Sequence, residues 1–205
     1  SGNLIELILE KDEVLPIDVP TIYVTNEIIN KISSLDNPSK VMGLCKMNDN
    51  KEVTGNKILL LDGVQDPGNL GTIIRSSLAF NVDTIVTSLD TVDLYNPKVL
   101  RSTQGMIFHL NIVNMDLTEA ITKLKKEEYP IYGTKVEYGS DVSTLPKKDR
   151  RKYALVMGNE GNGISSEVSA LCDRFLYIDM NDKVESLNVA VATSILLYEL
   201  NKNVD

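Results

Sequence analysis

The chain has little of several residue types that simple functional classes depend on. It contains no tryptophan, one histidine and two cysteines in 205 residues, and aromatic side chains make up only 5% of it. A single histidine, His109, lies in the apolar run Ile107-Phe108-His109-Leu110 with no acid or nucleophile beside it. That argues against a histidine-based hydrolytic triad and predicts a core or strand-edge role for His109. Cys45 and Cys172 are far apart in apolar stretches, which argues against a disulfide scaffold and, without neighbouring Cys or His, against structural zinc. Both are expected to be small core residues. No apolar run approaches membrane-spanning length and no signal peptide is visible, so a reducing cytoplasm is the compartment this composition fits. Positive charge is scarce as well: 21 Lys and Arg face 29 Asp and Glu, a net charge of −8. Long-range attraction to a polyanion is therefore weak on average, although a local basic surface is compatible with it.

What the chain does have is an alternation of short apolar runs and helical patterns. Thr21 to Val24 reads as a strand, Asn26 to Ser33 as a helix and Val41 to Met47 as a strand, too little for a comfortable core of its own. This opening segment resembles the second half of a small α/β domain whose first half is absent, and Ser1-Gly2 reads as a scar of expression. The polar stretch from residue 49 to 56 is the expected linker between a first domain, 1–48, and a second, 57–205. Strands are expected at Lys57–Leu61, Val82–Val86, Ile107–Ile112, Ile131–Thr134, Ala154–Met157 and Phe175–Ile178. Helices are expected from Leu70 to Asn81, Asn96 to Ser102, Leu117 to Glu128, Ser165 to Leu171 and Ser186 to Leu200. Strands separated by helices predict an α/β fold with a mainly parallel sheet covered on both faces, its ligand loops at the carboxyl ends of the strands. The last helix is apolar nearly all round, which requires burial on more than one side, in a core or a homodimer interface.

Three polar, glycine-marked segments interrupt this pattern: DPGNLGTIIRSS from Asp66, LVMGNEGNGIS from Leu155 and ESLNVAVATS from Glu185. In the first, Pro67-Gly68 signals a turn and Asn69 a helix cap. Arg75 follows Gly71 by one turn within an otherwise apolar helix; it is either an exposed helix arginine or a guanidinium that holds a phosphate or hydroxyl. The second segment follows a strand directly and is neither a dinucleotide fingerprint nor a phosphate-binding loop with its lysine. Its glycines let backbone approach a ligand, and Glu160 adds a carboxylate. In the third, Ser186 is either the N-cap of the terminal helix or part of a ligand site. A basic run, Lys147, Lys148, Arg150, Arg151 and Lys152, is a solvated loop or an RNA-facing rim.

At these residues the chain resembles the SpoU/TrmH family of the SPOUT superfamily, S-adenosylmethionine-dependent RNA ribose 2′-O-methyltransferases. The resemblance runs from about Leu59 to Leu200: Asn69, Gly71 and Arg75 match one family motif, Gly158, Asn159, Glu160 and Gly161 a second, and Ser186, Leu187 and Asn188 a third. It departs from the family at Asp179, where a proline is usual, and at Asp182, where a glycine is usual. The resemblance implies a deep C-terminal trefoil knot, which ordinary topology rules would never suggest. It implies Arg75, Asn69, Glu160, Ser186 and Asn188 as the catalytic set, with Arg75 orienting or activating the ribose hydroxyl. It also implies S-adenosylmethionine held by Thr134, Gly158, Asn159, Gly161, Ile178, Met180, Ser186 and Leu187, and no metal. The RNA contacts are then Asn69, Arg75, Arg101, Lys148, Arg150 and Arg151. The opening segment looks like the later half of an L30e-like RNA-binding domain. Structured RNA, ribosomal in preference to transfer RNA, and a homodimer through the last helix are the implied partners, with no membrane. Base methylation by a related knotted enzyme, and a catalytically silent RNA-binding protein, are the competing readings.

Overall fold

A computed structural model describes residues 3–35, 37–47, 49, 52–136 and 139–202. Contacts divide the chain into two compact units, Ser1–Asp49 and Asn50–Asp205. The first contains β1 (Leu4–Glu10), β2 (Thr21–Val24), α1 (Asn26–Ile32) and β3 (Val41–Cys45), with strand order β2-β1-β3. β1 pairs in parallel with β2 and antiparallel with β3. Its core is small: Leu7, Leu9 and Ile29 are buried, whereas Ile22, Tyr23, Ile32 and Leu44 remain about half exposed. β1 has no counterpart among the expected strands, because LIELILE places apolar residues at consecutive positions as well as alternate ones. Cys45 is exposed at the end of β3 and is not a core residue.

The second unit is a seven-stranded sheet. Its elements are β4 (Lys57–Leu61), α2 (Pro67–Ala79), β5 (Thr84–Thr87), α3 (Pro97–Thr103), β6 (Asn111–Asn114), α4 (Leu117–Lys126), β7 (Ile131–Thr134), β8 (Ser140–Asp141), β9 (Tyr153–Met157), α5 (Ser166–Ser169), β10 (Arg174–Tyr177) and α6 (Val189–Asn201). The order across the sheet is β6-β5-β4-β9-β7-β10-β8, and every pairing is parallel. β9 is threaded between β4 and β7, two strands that both precede it in sequence. This insertion places three loops, after β4, β7 and β9, side by side at the carboxyl edge.

The alternation of side chains along the strands builds two cores. Leu59, Leu61, Ile85, Leu155 and Met157 face the layer of α2, α3 and α6, with Leu70, Ile73, Ile74, Leu196, Leu197 and Leu200 buried against them. Ile58, Leu60, Val86, Ala154 and Val156 face α4 and α5, whose Leu117, Ile121, Leu124 and Val168 fill the other side. Each such fully buried aliphatic side chain contributes on the order of 1.5–3 kcal/mol relative to exposure. The last helix accordingly buries Val189, Ala190, Leu196, Leu197 and Leu200, but leaves Val191 and Tyr198 about half exposed.

Element boundaries differ from the sequence expectations where local chemistry decides them. Asp66, not Asn69, caps α2: its carboxylate accepts the Asn69 amide at 2.8 Å, and Pro67 opens the first turn. The expected strand Ile107–Ile112 is instead a 3₁₀ turn, Met106–His109, followed by β6. Gln104 and Gly105 both take positive φ, 50° and 83°, and their turn winds the apolar run before it can extend. His109 is exposed at the end of that turn, outside the core. α6 begins three residues later than expected because Asn188, not Ser186, is its N-cap, accepting from Ala190 and Val191. The end of the expected linker is pinned to the large sheet, with Val53 against the core and Asn56 donating to Asp83 at 2.7 Å.

Candidate active site

The loop leaving β9 is built by its own side chains and by lack of one. A Cβ on Gly158 would come within 2.2 Å of the Gly163 carbonyl carbon, so only glycine lets the chain fold back there. Asn159 and Gly163 then exchange two backbone hydrogen bonds, at 2.9 and 3.0 Å. The Asn159 side chain finishes the turn: Oδ1 accepts from Gly161 and Asn162, and Nδ2 donates to the Gly63 carbonyl at 2.7 Å.

Glu160 projects from this loop to the start of α2. Its carboxylate accepts the Gln65 amide at 3.2 Å, the Asp66 amide at 3.1 Å and Asn69 Nδ2 at 3.0 Å. Asn69 Oδ1 in turn accepts Asn188 Nδ2 at 2.8 Å. The three polar segments, far apart in sequence, are thus one hydrogen-bonded chain, Asn188–Asn69–Glu160. Partial burial pushes the Glu160 carboxyl up, but the bonds from Asn69 and the backbone amides outweigh it and hold the group below its ordinary value. Glu160 is a fixed anion at neutral pH.

Beside this chain lies a cavity of ≈ 420 Å³ at the carboxyl edge of β7, β9 and β10. Thr134, Gly158, Asn159, Gly161, Ile178, Met180, Ser186 and Leu187 all line it, together with Glu160. Met157, Ile178, Leu187 and Leu196 supply apolar walls, and the glycine loop supplies backbone. A mixed lining of this size suits a small ligand with a flat ring and a polar tail. Asp179, Asp182 and Glu185 lie outside it, around a neighbouring cavity of ≈ 680 Å³. Among the described residues no group of three His, Cys, Asp or Glu is placed to hold a metal.

The remaining sequence candidates separate. Arg75 is exposed on α2 and makes no hydrogen bond or ion pair among the described residues, so its guanidinium is free for a ligand. Gly71 does not open space beside Arg75: a Cβ there would lie 1.7 Å from Ser102 Oγ, so the missing side chain admits α3. Arg101 is exposed on α3. Arg150 is buried, and its guanidinium donates to the carbonyls of Leu145, Ser143 and Glu199 at 2.8, 2.7 and 2.9 Å. It is a structural cation and not an RNA contact. Lys148 and Arg151 are exposed but precede β9, whereas the cavity follows it, about 16 Å along a five-residue strand. Sequence reasoning missed Lys135, which also lines the cavity, the Gln65 and Asp66 amides that bond Glu160, and Asp62, which accepts the Ser165 amide; the only signal for Asp62 was an acid directly after an apolar strand. No helix is long and apolar enough to cross a membrane among the described residues.

Comparison with known proteins gives this geometry a context. Residues 56–198 match the profile of the SpoU rRNA Methylase family. The chain is 37% identical to the 23S rRNA (guanosine(2553)-2′-O)-methyltransferase RlmP of Bacillus subtilis, over 98% of this chain and 82% of that one. It is 32% identical to an uncharacterized tRNA/rRNA methyltransferase of Borreliella burgdorferi, over 72% of this chain and 64% of the relative. In solved structures, the AdoMet-bound rRNA methyltransferase of Sinorhizobium meliloti superposes with a TM-score of 0.81 at 27% identity, covering 97% of this chain and 79% of that one.

Proposed function

Because the chain belongs to the SpoU rRNA methylase family, we propose that it uses S-adenosylmethionine to methylate a ribose 2′-hydroxyl of structured RNA, ribosomal RNA in preference to transfer RNA. The α/β fold with its parallel sheet is that of the family, and the deep trefoil knot follows from that membership. The observation that carries the reading is the chain Asn188–Asn69–Glu160, which ties all three motif segments together at the rim of one cavity.

S-adenosylmethionine supplies an electrophilic methyl group on a sulfonium. The backbone around Thr134, Gly158, Ile178 and Leu187 would cradle its adenine and methionine, with Asn159 and Gly161 shaping the loop and Met180 and Ser186 at the rim, all of them lining the cavity. Asn69, Glu160 and Asn188 hold α2 against this loop and so set the position of Arg75. A ribose hydroxyl is a poor nucleophile while protonated, so its alignment and the removal of its proton control the rate. The Arg75 guanidinium orients the hydroxyl or the adjoining phosphate by directional hydrogen bonds. Arg101 extends the same cationic surface on α3. The opening unit is an RNA-binding module of L30e-like type, and Lys148 and Arg151 contact RNA only at a distance from the reacting ribose.

The half-exposed Val191 and Tyr198 on α6, with the Phe80 ring of α2 edge-on to Tyr198 at 6.0 Å, make the apolar face of a homodimer. The test is Arg75→Ala. It lowers kcat by at least about a hundredfold, the scale of a lost acid-base or orienting group, while the cofactor Kd stays within about threefold. Equal loss of turnover and cofactor binding would remove Arg75 from this role.

A further inference from the structure

Asp62 is the residue directly after β4, only 9% exposed, and it is absent from the cavity lining. None of the four ion pairs among the described residues includes it. Its carboxylate Oδ2 accepts the backbone amide of Ser165 at 2.7 Å, across 103 residues of sequence. Its neighbour Gly63 does the same for the other end of the loop, where the Gly63 carbonyl accepts Asn159 Nδ2. Gly63 is itself fixed, its amide donating to Ser88 Oγ at 2.8 Å, and Ser88 Oγ lies 2.9 Å from Thr91 Oγ1. The loop that lines the cavity is therefore a self-closed turn clamped at both ends to the exit of β4. One end is continuous with β9; the other depends on Asp62.

We propose that Asp62 is a positioning residue that sets cofactor affinity without touching the cofactor, by holding Ser165 and hence the far end of the Gly158–Gly163 loop. This rests on the reading that the ≈ 420 Å³ cavity takes S-adenosylmethionine. Releasing Ser165 frees the Gly163–Ser165 arm, while Asn159 and Glu160 stay bonded to Gly63, Gln65, Asp66 and Asn69, and the cavity widens at Gly163 and Ile164. Glu160 keeps its bonds to the start of α2, so Arg75 keeps its geometry and the effect belongs to binding and not to the chemical step.

The experiment measures S-adenosylmethionine Kd by calorimetry, kcat at saturating cofactor, and thermal stability, for wild type and four variants. Asp62→Ala removes the acceptor and is expected to weaken binding about tenfold or more, the scale of one charge-assisted hydrogen bond. Asp62→Asn keeps an acceptor oxygen and is expected to bind within about threefold of wild type, with kcat unchanged within the same factor in both. Ser165→Pro removes the donor instead. Ser165 has φ −57°, which proline adopts, so the variant loses the amide and the hydroxyl cap but not the backbone path. Ser165→Ala, which loses only the hydroxyl cap to Val168, is the control and is expected to bind normally. Weak binding in Asp62→Ala and Ser165→Pro, with normal binding in the other two, supports the clamp. Wild-type affinity in Asp62→Ala or Ser165→Pro overturns it, as does loss in all four variants that merely follows loss of thermal stability. Failure of the wild-type chain to bind S-adenosylmethionine would instead overturn the reading of the cavity on which the proposal rests.

Discussion

Arg150→Met separates a structural cation from an RNA contact. Arg150 closes three main-chain carbonyls, Ser143, Leu145 and Glu199, the last of them in the final turn of α6. Each hydrogen bond from a charged donor contributes about 1.5–3 kcal/mol. Methionine fills most of the volume and avoids an unpaired buried charge, but takes the guanidinium donors from the Ser143 and Leu145 carbonyls and leaves Glu199 with the Lys202 amide alone, at 3.3 Å. Allowing for partial rehydration and for about 1 kcal/mol of recovered apolar packing, the loss is about 3–5 kcal/mol. In a chain of this length that corresponds to a fall in Tm of roughly 6–20 °C. Equilibrium urea unfolding should show a lower midpoint with an unchanged slope. RNA affinity, measured on protein kept folded at low temperature, should keep its dependence on salt. An unchanged unfolding midpoint together with a salt slope reduced by about one phosphate contact would refute this reasoning and return Arg150 to the RNA surface.

Gly71→Ala drives a methyl group into Ser102 Oγ and is expected to destabilise the protein by about 1–3 kcal/mol, read by thermal unfolding; a neutral result would mean that α3 can withdraw freely from α2. Glu160 is depressed below its ordinary value, so its contribution is complete above the unfolded value of about 4.3 and is lost only as pH falls through the lower folded value. Cofactor affinity of the wild type should therefore be flat from neutral pH to about 5 and then fall, whereas Glu160→Gln should be weaker and flat throughout, since one acceptor oxygen becomes an NH₂ that faces either the Gln65 amide or the Asp66 and Asn69 donors. A wild-type inflection near neutral pH would show that another group controls the site.

Much of this arrangement was legible in the sequence because it is local. Apolar runs of four or five residues followed by turn-rich segments gave β4, β7, β9 and β10 within a residue or two, and α4 followed from Leu117, Ile121 and Leu124 on one face. The three motif segments were legible as glycine and amide clusters at strand ends. What was hidden depends on partners distant in sequence. No local pattern states that β9 enters between β4 and β7, and it is this insertion that brings the loops after β4, β7 and β9 together at the cavity. Asn69 looked like a cap because helix starts favour asparagine, but Asp66 takes that place and frees Asn69 to bond Glu160 and Asn188. Arg150 looked like its basic neighbours, and only the three carbonyls of other segments distinguish it.

The central claim is ribose methylation of RNA, and transfer of labelled methyl from S-adenosylmethionine to separated, unmodified ribosomal and transfer RNA tests it most directly, with the products digested to nucleosides. The account predicts label on a ribose 2′-oxygen in the ribosomal fraction, abolished by Arg75→Ala. Label confined to a base atom, or bound cofactor with no transfer to either RNA, would contradict it.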